Sequence, residues 1–447
     1  MIKVTKENPI RVLSLFSGIG AFEKALTNLG IPFTLINYCE IDRYASKAYS
    51  AIHGVPESLN LKDATKVDTS TLADLDLITY GFPCQDISNA GKRKGFTNED
   101  GSSTRSGLFF EALRIITDTQ PRIAIAENVK GLVGDRFTEE FRTVLSSLFK
   151  AGYNSYFCVL NAKDYGIPQN RERVFIVSVR KDIDFTFTFP APIPLTRCLR
   201  DLCDKEVDEK YFLSENMLKN ICGVGPAPIE MQPEVDRDVA HALTATMHKM
   251  HRANQDTYIS EQFLETGEKV DIEKEYLGIE KENPEQHPEL FQVAQLVPDA
   301  KFSNPQRDRV YDDKGLAPAL NTVPGGGLQP KILVKENTLK GYAEAEEGDS
   351  INYERATANT RRGRVGKGIS NTILAEPSMA VVTPKLRVRR LTPIECFRLM
   401  GFTDEDYNRI PSSISDTQRY HMAGNSIVVD VLMALFRQIY TTDDKEV

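Results

Sequence analysis

Seven cysteines, at 39, 84, 158, 198, 203, 222 and 396, are the whole thiol complement of this 447-residue chain, and no two stand in C-x-x-C spacing. An odd, unpaired set excludes a disulfide framework and a zinc cage. No apolar run reaches membrane-spanning length, and Met1-Ile2-Lys3-Val4-Thr5-Lys6 lacks the apolar core of a secretion signal. A soluble, cytoplasmic protein with no membrane partner is therefore expected. Histidine is scarce: of six, His241, His248 and His251 fall together, but no cysteine or carboxylate stands at matching ligand spacing. No metal is expected there. The 41% of hydrophobic residues is enough for a full core, and the length suggests two or three domains.

Positive charge is also short, with a formal net charge of -8. That balance argues at first against a nucleic-acid partner, whose phosphates are held largely by lysine and arginine. The charges are segregated, however. Residues 351–400 carry ten Lys or Arg against three acids, and residues 261–290 carry ten acids against three lysines. A basic face able to grip DNA is compatible with the acidic whole.

From residue 11 to about 190, short apolar strands alternate with amphipathic helices, the pattern of a doubly wound α/β domain. Val12, Leu13 and Leu15 begin the first strand, and the helix bearing Phe22, Ala25, Leu26 and Leu29 is expected to stop at Gly30. After Pro190, Pro192 and Pro194 the texture turns to loops and weak periodicity until about 385, which reads as a separate, smaller and irregular domain. Three tracts within it are loosely alike: Ala242-Leu243-Thr244-Ala245-Thr246, Ala319-Leu320-Asn321-Thr322 and Asn371-Thr372-Ile373-Leu374. Regular structure resumes at Thr392-Pro393-Ile394-Glu395, a capping box with proline at the first helical position. The expected divisions are 1–190, 191–388 and 389–447, the last returning to the first domain through an apolar helix over 428–440.

Ligands in open α/β sheets sit beyond the carboxyl ends of the strands. Three tracts reach that edge: Gly81-Phe82-Pro83-Cys84, Ala126-Glu127-Asn128-Val129 and Gln169-Asn170-Arg171-Glu172-Arg173. Pro83 fixes the backbone before Cys84, and the polar run Gln85, Asp86, Ser88, Asn89 leads away toward solvent. An exposed thiol, a carboxylate and two arginines make a reaction site. Between the first strand and helix, Phe16-Ser17-Gly18-Ile19-Gly20 permits close approach of a ligand to backbone. The full G-x-G-x-x-G of nicotinamide enzymes is missing, because Glu23 takes the place of its third glycine. Glu40, at the end of the second strand, suits the two hydroxyls of a ribose, and Asp63, after the expected third strand, suits an adenine amino group. An adenosine ligand without pyrophosphate fits this set, with S-adenosyl-L-methionine the obvious one.

With these residues in place the chain resembles the bacterial and phage DNA (cytosine-5)-methyltransferases. The likeness runs through Phe16 to Gly20, Glu40, Asp63, Gly81 to Gln85, Glu127 to Val129, Gln169 to Arg173, Arg390 to Phe402 and Gly424-Asn425-Ser426, in the family's order. Ala21 departs from it, where many members have another glycine. The resemblance implies a Rossmann-like S-adenosylmethionine-dependent domain and a target-recognition domain in the unmatched middle. It also implies cofactor contacts from Ile41, Ala64, Pro83, Asn425 and Ser426. Cys84 is then the nucleophile toward carbon 6 of a flipped cytosine in duplex DNA. Glu127 would hold N3 and the exocyclic amine, and Arg171 or Arg173 would favour the thiolate. The glycine-rich basic stretch from Ser88 to Gly107 looks like the family's loop that closes on DNA. Gln85, Ser88, Lys92, Arg93 and Gln169, with Arg361, Arg362 and Arg364 in the basic segment, are the expected DNA contacts. A monomer is expected, and the resemblance admits a cognate restriction endonuclease acting separately.

Three other readings are weighed by the same residues. An RNA cytosine methyltransferase of this fold would carry Cys-Phe-Thr in the middle region, which is missing. A DNA-binding protein without catalysis would not need Cys84, Glu127 and Arg173 intact. A nicotinamide oxidoreductase is opposed by Glu23.

Overall fold

The computed structural model describes residues 1–82, 105–214, 235–249, 256–270 and 387–442, with residue 272 and seven short strands between 292 and 381. These fall into two compact units. One comprises residues 1–212, 231–269 and 389–447, the other 213–230 and 270–388.

In the first unit, strands β1 (Ile2–Val4), β2 (Ile10–Leu15), β3 (Phe33–Cys39), β4 (Leu77–Tyr80), β5 (Ile123–Val129), β6 (Tyr153–Asn161), β7 (Gln169–Asn170) and β8 (Glu172–Arg180) accompany helices α1 (Ala21–Leu29), α2 (Arg43–His53), α3 (Phe109–Thr119) and α4 (Thr138–Lys150). Six strands form the central sheet in the order β3-β2-β4-β5-β8-β6. The pairs β2·β3, β2·β4 and β4·β5 are parallel, whereas β8 runs antiparallel to both its neighbours, so the sheet is mixed. β8 is reached by a return from β6 with no helical crossover, which forces the reversal.

Successive side chains on a strand point to opposite faces. Ile10, Val12, Leu77, Ile123, Ile125, Phe175 and Val177 therefore join Phe22, Ala25, Leu26, Ala48 and Ile52 of α1 and α2 in one core. Leu13, Leu15, Ile78, Ala124, Ala126, Val174 and Ile176 join Phe109, Ile115, Ile116, Val144 and Leu148 of α3 and α4 in the other. Helices on both faces make the domain doubly wound, as expected. α1 ends at Gly30 with φ 65°, a left-handed conformation that glycine adopts without strain, and the Gly30 N–H donates to the Leu26 and Thr27 carbonyls.

The capping box at Thr392 forms: Thr392 Oγ1 accepts from Glu395 N, and Glu395 accepts from Thr392 N at 2.7 Å. Farther on, Asp416–Ile439 is apolar enough by length and composition to cross a membrane. It is two helices, Asp416–Asn425 and Val429–Ile439, and the second is buried at Val431, Leu432, Leu435, Phe436 and Ile439. Phe436 meets Phe22 of α1 edge-on, with ring centroids 6.3 Å apart. Residues 389–447 group with the first unit.

The boundary at 190 is not where the first unit ends. Leu199 and Tyr211 are buried in its core, and Tyr211 Oη donates to Asp416 at 2.9 Å. Residues 231–269 also belong to it, because strand β9 (Ala240–His241) pairs in parallel with β7, Gln169 opposite Ala240. In the second unit, 292–295 pairs antiparallel with 309–311, 332–335 with 342–345, and 350–352 lies between 365–366 and 379–381.

Candidate active site

Strand order reverses between β2 and β4, which places the crevice of the fold at their carboxyl ends. One cavity of about 340 Å³ opens there, lined among others by Phe16, Gly18 and Ile19 after β2, Glu40 and Ile41 after β3, Gly81 after β4, and Glu127 on β5. Asp63, Ala64, Arg171, Arg173 and Asn425 also line it.

The turn after β2 is held from several sides. Ser17 N donates to Cys39 O at 3.0 Å and Gly20 N to Ser17 O at 2.9 Å. Phe16, Gly18 and Gly20 have φ of 54°, 56° and 80°. A positive φ in a bulky aromatic is strained, the kind of backbone that persists at functional sites. Gly20 has a second reason to lack a side chain, since a Cβ there would overlap His53 Nε2 and crowd Tyr49. His53 Nε2 donates to Ile19 O at 3.0 Å from behind the turn. Burial lowers its pKa to about 4, so it stays neutral.

Glu40 accepts from Gly18 N at 2.8 Å through one carboxylate oxygen and from Asp42 N at 2.7 Å through the other. Each oxygen retains a further lone pair for a ligand. Burial raises its pKa, offset by those two N–H groups. Asp63 does not follow a strand. It caps the short turn Ala64–Lys66, accepting from Thr65 N and Thr65 Oγ1, and those bonds hold its pKa below the ordinary value. Ile41 is 77% exposed at the rim, an apolar face against which a planar base can lie. Ser17 and Gly20 shape the turn without lining the cavity. Ser426 is buried, and it is its carbonyl that is engaged, by Arg171.

An adenosine bearing a cationic sulfur fits these residues. Glu40, Asp42 and Asp63 all line the cavity, and acidic residues suit hydroxyls, an amine and positive charge and oppose a pyrophosphate.

Arg173 Nε lies 3.1 Å from Glu127 Oε1. Burial raises the pKa of Glu127, with Arg173 and Arg171 pulling it down. A Cβ on Gly81 would lie 3.7 Å from Glu127 Oε2, so β4 ends directly beside this carboxyl. Asn128, 2% exposed, donates from Nδ2 to Phe82 O at 3.1 Å and fixes the chain where it leaves β4. Nothing in the Ala126–Val129 tract of the sequence signals this task of Asn128. His421 and Lys62 also line the cavity. Periodicity marks neither.

Two residues take places different from those expected. Gln169, read as a DNA contact, is fully buried; Nε2 donates to Leu399 O at 2.8 Å and Oε1 accepts from Leu243 N at 3.1 Å. Arg171 is 4% exposed and its guanidinium donates to Leu243 O, Gly424 O and Ser426 O at 2.8, 3.0 and 2.7 Å. Both side chains knit residues 243, 399 and 424–426 to β7. The tract Ala242–Thr246 is consequently a wall of the first unit, and Gly424 packs so closely on the Thr244–Ala245 backbone that a Cβ would overlap it. Pro83, Cys84, Gln85, Ser88, Lys92 and Arg93, most of the stretch from Ser88 to Gly107, the other two loosely similar tracts, and Arg361, Arg362 and Arg364 lie outside the described residues. Among the described residues no group of three His, Cys, Asp or Glu is placed to hold a metal.

Comparison with known proteins identifies the family. The model of the family described as C-5 cytosine-specific DNA methylase matches residues 10–441. Orphan methyltransferase M.SPRI of Bacillus phage SPR is 30% identical over 498 residues, covering 98% of this chain and 99% of that protein. Orphan methyltransferase M.SPBetaI of Bacillus phage SPbeta is 31% identical over 500 residues, covering 98% and 99%. Among solved structures, Dnmt2 methyltransferase of S. pombe superposes with a TM-score of 0.54 at 18% identity, covering 96% of this chain and 97% of that one. A mutant of Spodoptera frugiperda DNMT2 gives 0.57 at 16%, covering 96% and 99%. These two show the fold. The chain belongs to the C-5 cytosine-specific DNA methylase family and is an S-adenosylmethionine-dependent DNA cytosine-5 methyltransferase.

Proposed function

We propose that Glu127, Arg173 and Cys84 carry the methyl transfer on a flipped cytosine, and that Glu40, Asp63, Phe16 and Ile41 hold the adenosine half of S-adenosylmethionine. The observation that supports this most is the Glu127–Arg173 contact of 3.1 Å beside Gly81, in the cavity that also takes in Glu40. Carbon 5 of cytosine is too weak a nucleophile to be methylated unaided. Attack of the Cys84 thiolate on carbon 6 turns carbon 5 into an enamine carbon. A buried Glu127 with a raised pKa is suited to hold the proton that neutralises N3 as charge enters the ring, its other oxygen accepting from the exocyclic amine. Arg173 orients that carboxyl and adds positive charge at the site. S-adenosylmethionine, when bound, supplies the electrophilic methyl group. Loss of the carbon 5 proton then re-forms the ring double bond and releases the Cys84 thiolate.

Glu40 would accept both ribose hydroxyls, Asp63 the adenine amino group, and Asn425, which also lines the cavity, would contact the cofactor. Arg171 acts as a clamp on the cavity wall and leaves the thiolate-favouring charge to Arg173. The unit comprising 213–230 and 270–388 would choose the DNA sequence, since the matched chemistry lies in the other unit. Two full-length relatives are named orphan methyltransferases, which supports modification of DNA without a cognate endonuclease.

Duplex DNA carrying 5-fluorocytosine in its methylation target tests the mechanism, because fluorine cannot leave as the proton does. The intact protein should form a denaturant-stable DNA adduct, and Cys84→Ser should form none while binding S-adenosylmethionine normally. An adduct of equal yield with Cys84→Ser refutes the assignment.

A further inference from the structure

Asn60 spends its entire hydrogen-bonding capacity on the wall of the cofactor cavity. Its Oδ1 accepts from Glu40 N at 3.0 Å and from Lys62 N at 2.7 Å. Its Nδ2 donates to Glu40 O and to Ser46 Oγ, both at 2.9 Å. A side-chain amide has two donors and two acceptor lone pairs, so none is left over. Both backbone groups of Glu40 are therefore held by one side chain, which also holds the residue preceding Asp63.

The surroundings make this grip rigid. Leu61 N donates to Tyr38 O at 2.7 Å, tying the segment to the end of β3. Ser46 Oγ lies 3.2 Å from Tyr38 Oη, and the Tyr38 ring stacks on Tyr49 with centroids 4.0 Å apart. Lys62 has φ 63°, a conformation that residues with a Cβ seldom adopt. The bond from Lys62 N to the Asn60 side chain closes that turn and aims the chain into Asp63.

We propose that Asn60 is a positioning residue for the cofactor: it sets the separation of Glu40 and Asp63 and thereby the fit of the adenosine half. The inference rests on the reading of those two carboxylates as the ribose and adenine acceptors. Asn60 touches no ligand; it acts through the backbone from which both carboxylates spring. Asn60→Ala removes all four bonds. Asn60→Asp keeps the two acceptors, loses both donors, and sets a second charge beside Glu40.

The test is calorimetric binding of S-adenosylmethionine to the full chain, with thermal unfolding and KM for DNA measured alongside. Glu40→Ala and Asn60→Ala should each weaken binding about tenfold or more. The double variant should bind no worse than the weaker single one, because the two act as a unit. Asn60→Asp should lose affinity at an unchanged unfolding midpoint, and KM for DNA should move less than about twofold in every variant. Affinity retained by Asn60→Ala while Glu40→Ala loses it overturns the positioning role alone. Two losses that add in full, or an affinity loss in Asn60→Asp that only tracks global unfolding, also overturn it. Normal binding by Glu40→Ala overturns the reading of the pocket, and the proposal with it.

Discussion

Arg173 Nε and Glu127 Oε1 stand 3.1 Å apart with their side chains 21% and 12% exposed. They come from adjacent strands running in opposite directions, in a register that pairs Val129 with Arg173. The reversal of β8 thus brings the arginine back past the carboxyl end of β5. A carboxyl in that position feels two opposed influences, burial favouring the neutral acid and the guanidinium favouring the anion. Burial prevails, so Glu127 titrates above an ordinary glutamate.

That raised value has a sign for stability. Between the ordinary glutamate pKa and the higher folded value, the folded chain holds a proton that the unfolded chain has lost, so Glu127 makes the fold less stable as pH rises through that window. Glu127→Gln should remove the effect. The variant is expected to unfold at a higher temperature than the parent near pH 8, with the gap closing toward pH 4, while methylation falls by about 10² to 10⁴. Equal loss of stability and activity would mean that the carboxyl serves packing and not the ring nitrogen.

Much of this was legible because it is local. The stop of α1 at Gly30, the capping box at Thr392, and the turn between β2 and α1 each depend on residues within a few positions of one another. The place of Gln169 is not legible for the opposite reason. A polar residue next to two arginines at a strand start looks like a DNA contact, but its partners Leu243 and Leu399 lie 74 and 230 positions away. The same distance hid the place of Ala242–Thr246, whose short polar residues resemble a recognition loop. Asn60 is silent in the sequence because an asparagine in a loop carries no periodic signal, and only the fold reveals that all four of its bonds are made.

Arg171 offers a sharper separation of structure from chemistry. Its replacement by alanine leaves the carbonyls of Leu243, Gly424 and Ser426 buried without their donor. Arg171→Ala should lose about 3 kcal/mol or more of stability, the scale of several charge-assisted bonds with unmet buried acceptors. Chemical denaturation measures it. Full stability with methylation abolished would place Arg171 at the reacting base instead.

Gly424 should tolerate no side chain. A Cβ there overlaps the Thr244–Ala245 backbone, which has no flexible end to yield. Gly424→Ala is expected to lower stability by about 1 to 3 kcal/mol, the cost of overpacking, and to weaken cofactor binding through the displaced Asn425. A variant as stable as the parent would show that the two segments part readily.

Exchange of recognition segments between relatives provides the last test, and the two compact units determine where to cut. A hybrid that replaces only 270–388 keeps Leu243, Thr244 and β9 in register with Gln169, Arg171 and β7, so the first unit retains its wall. It should methylate cytosine in the donor's sequence context, as bisulfite sequencing of DNA from expressing cells would show. A hybrid cut at the proline-rich boundary, replacing 191–388, strips out Leu199, Tyr211 and the 240–249 segment from the core and should accumulate as unfolded, inactive protein. Base readout needs side chains delivered to the major groove independently of the catalytic frame. An active 270–388 hybrid that keeps the parent's target would therefore move sequence choice into the first unit.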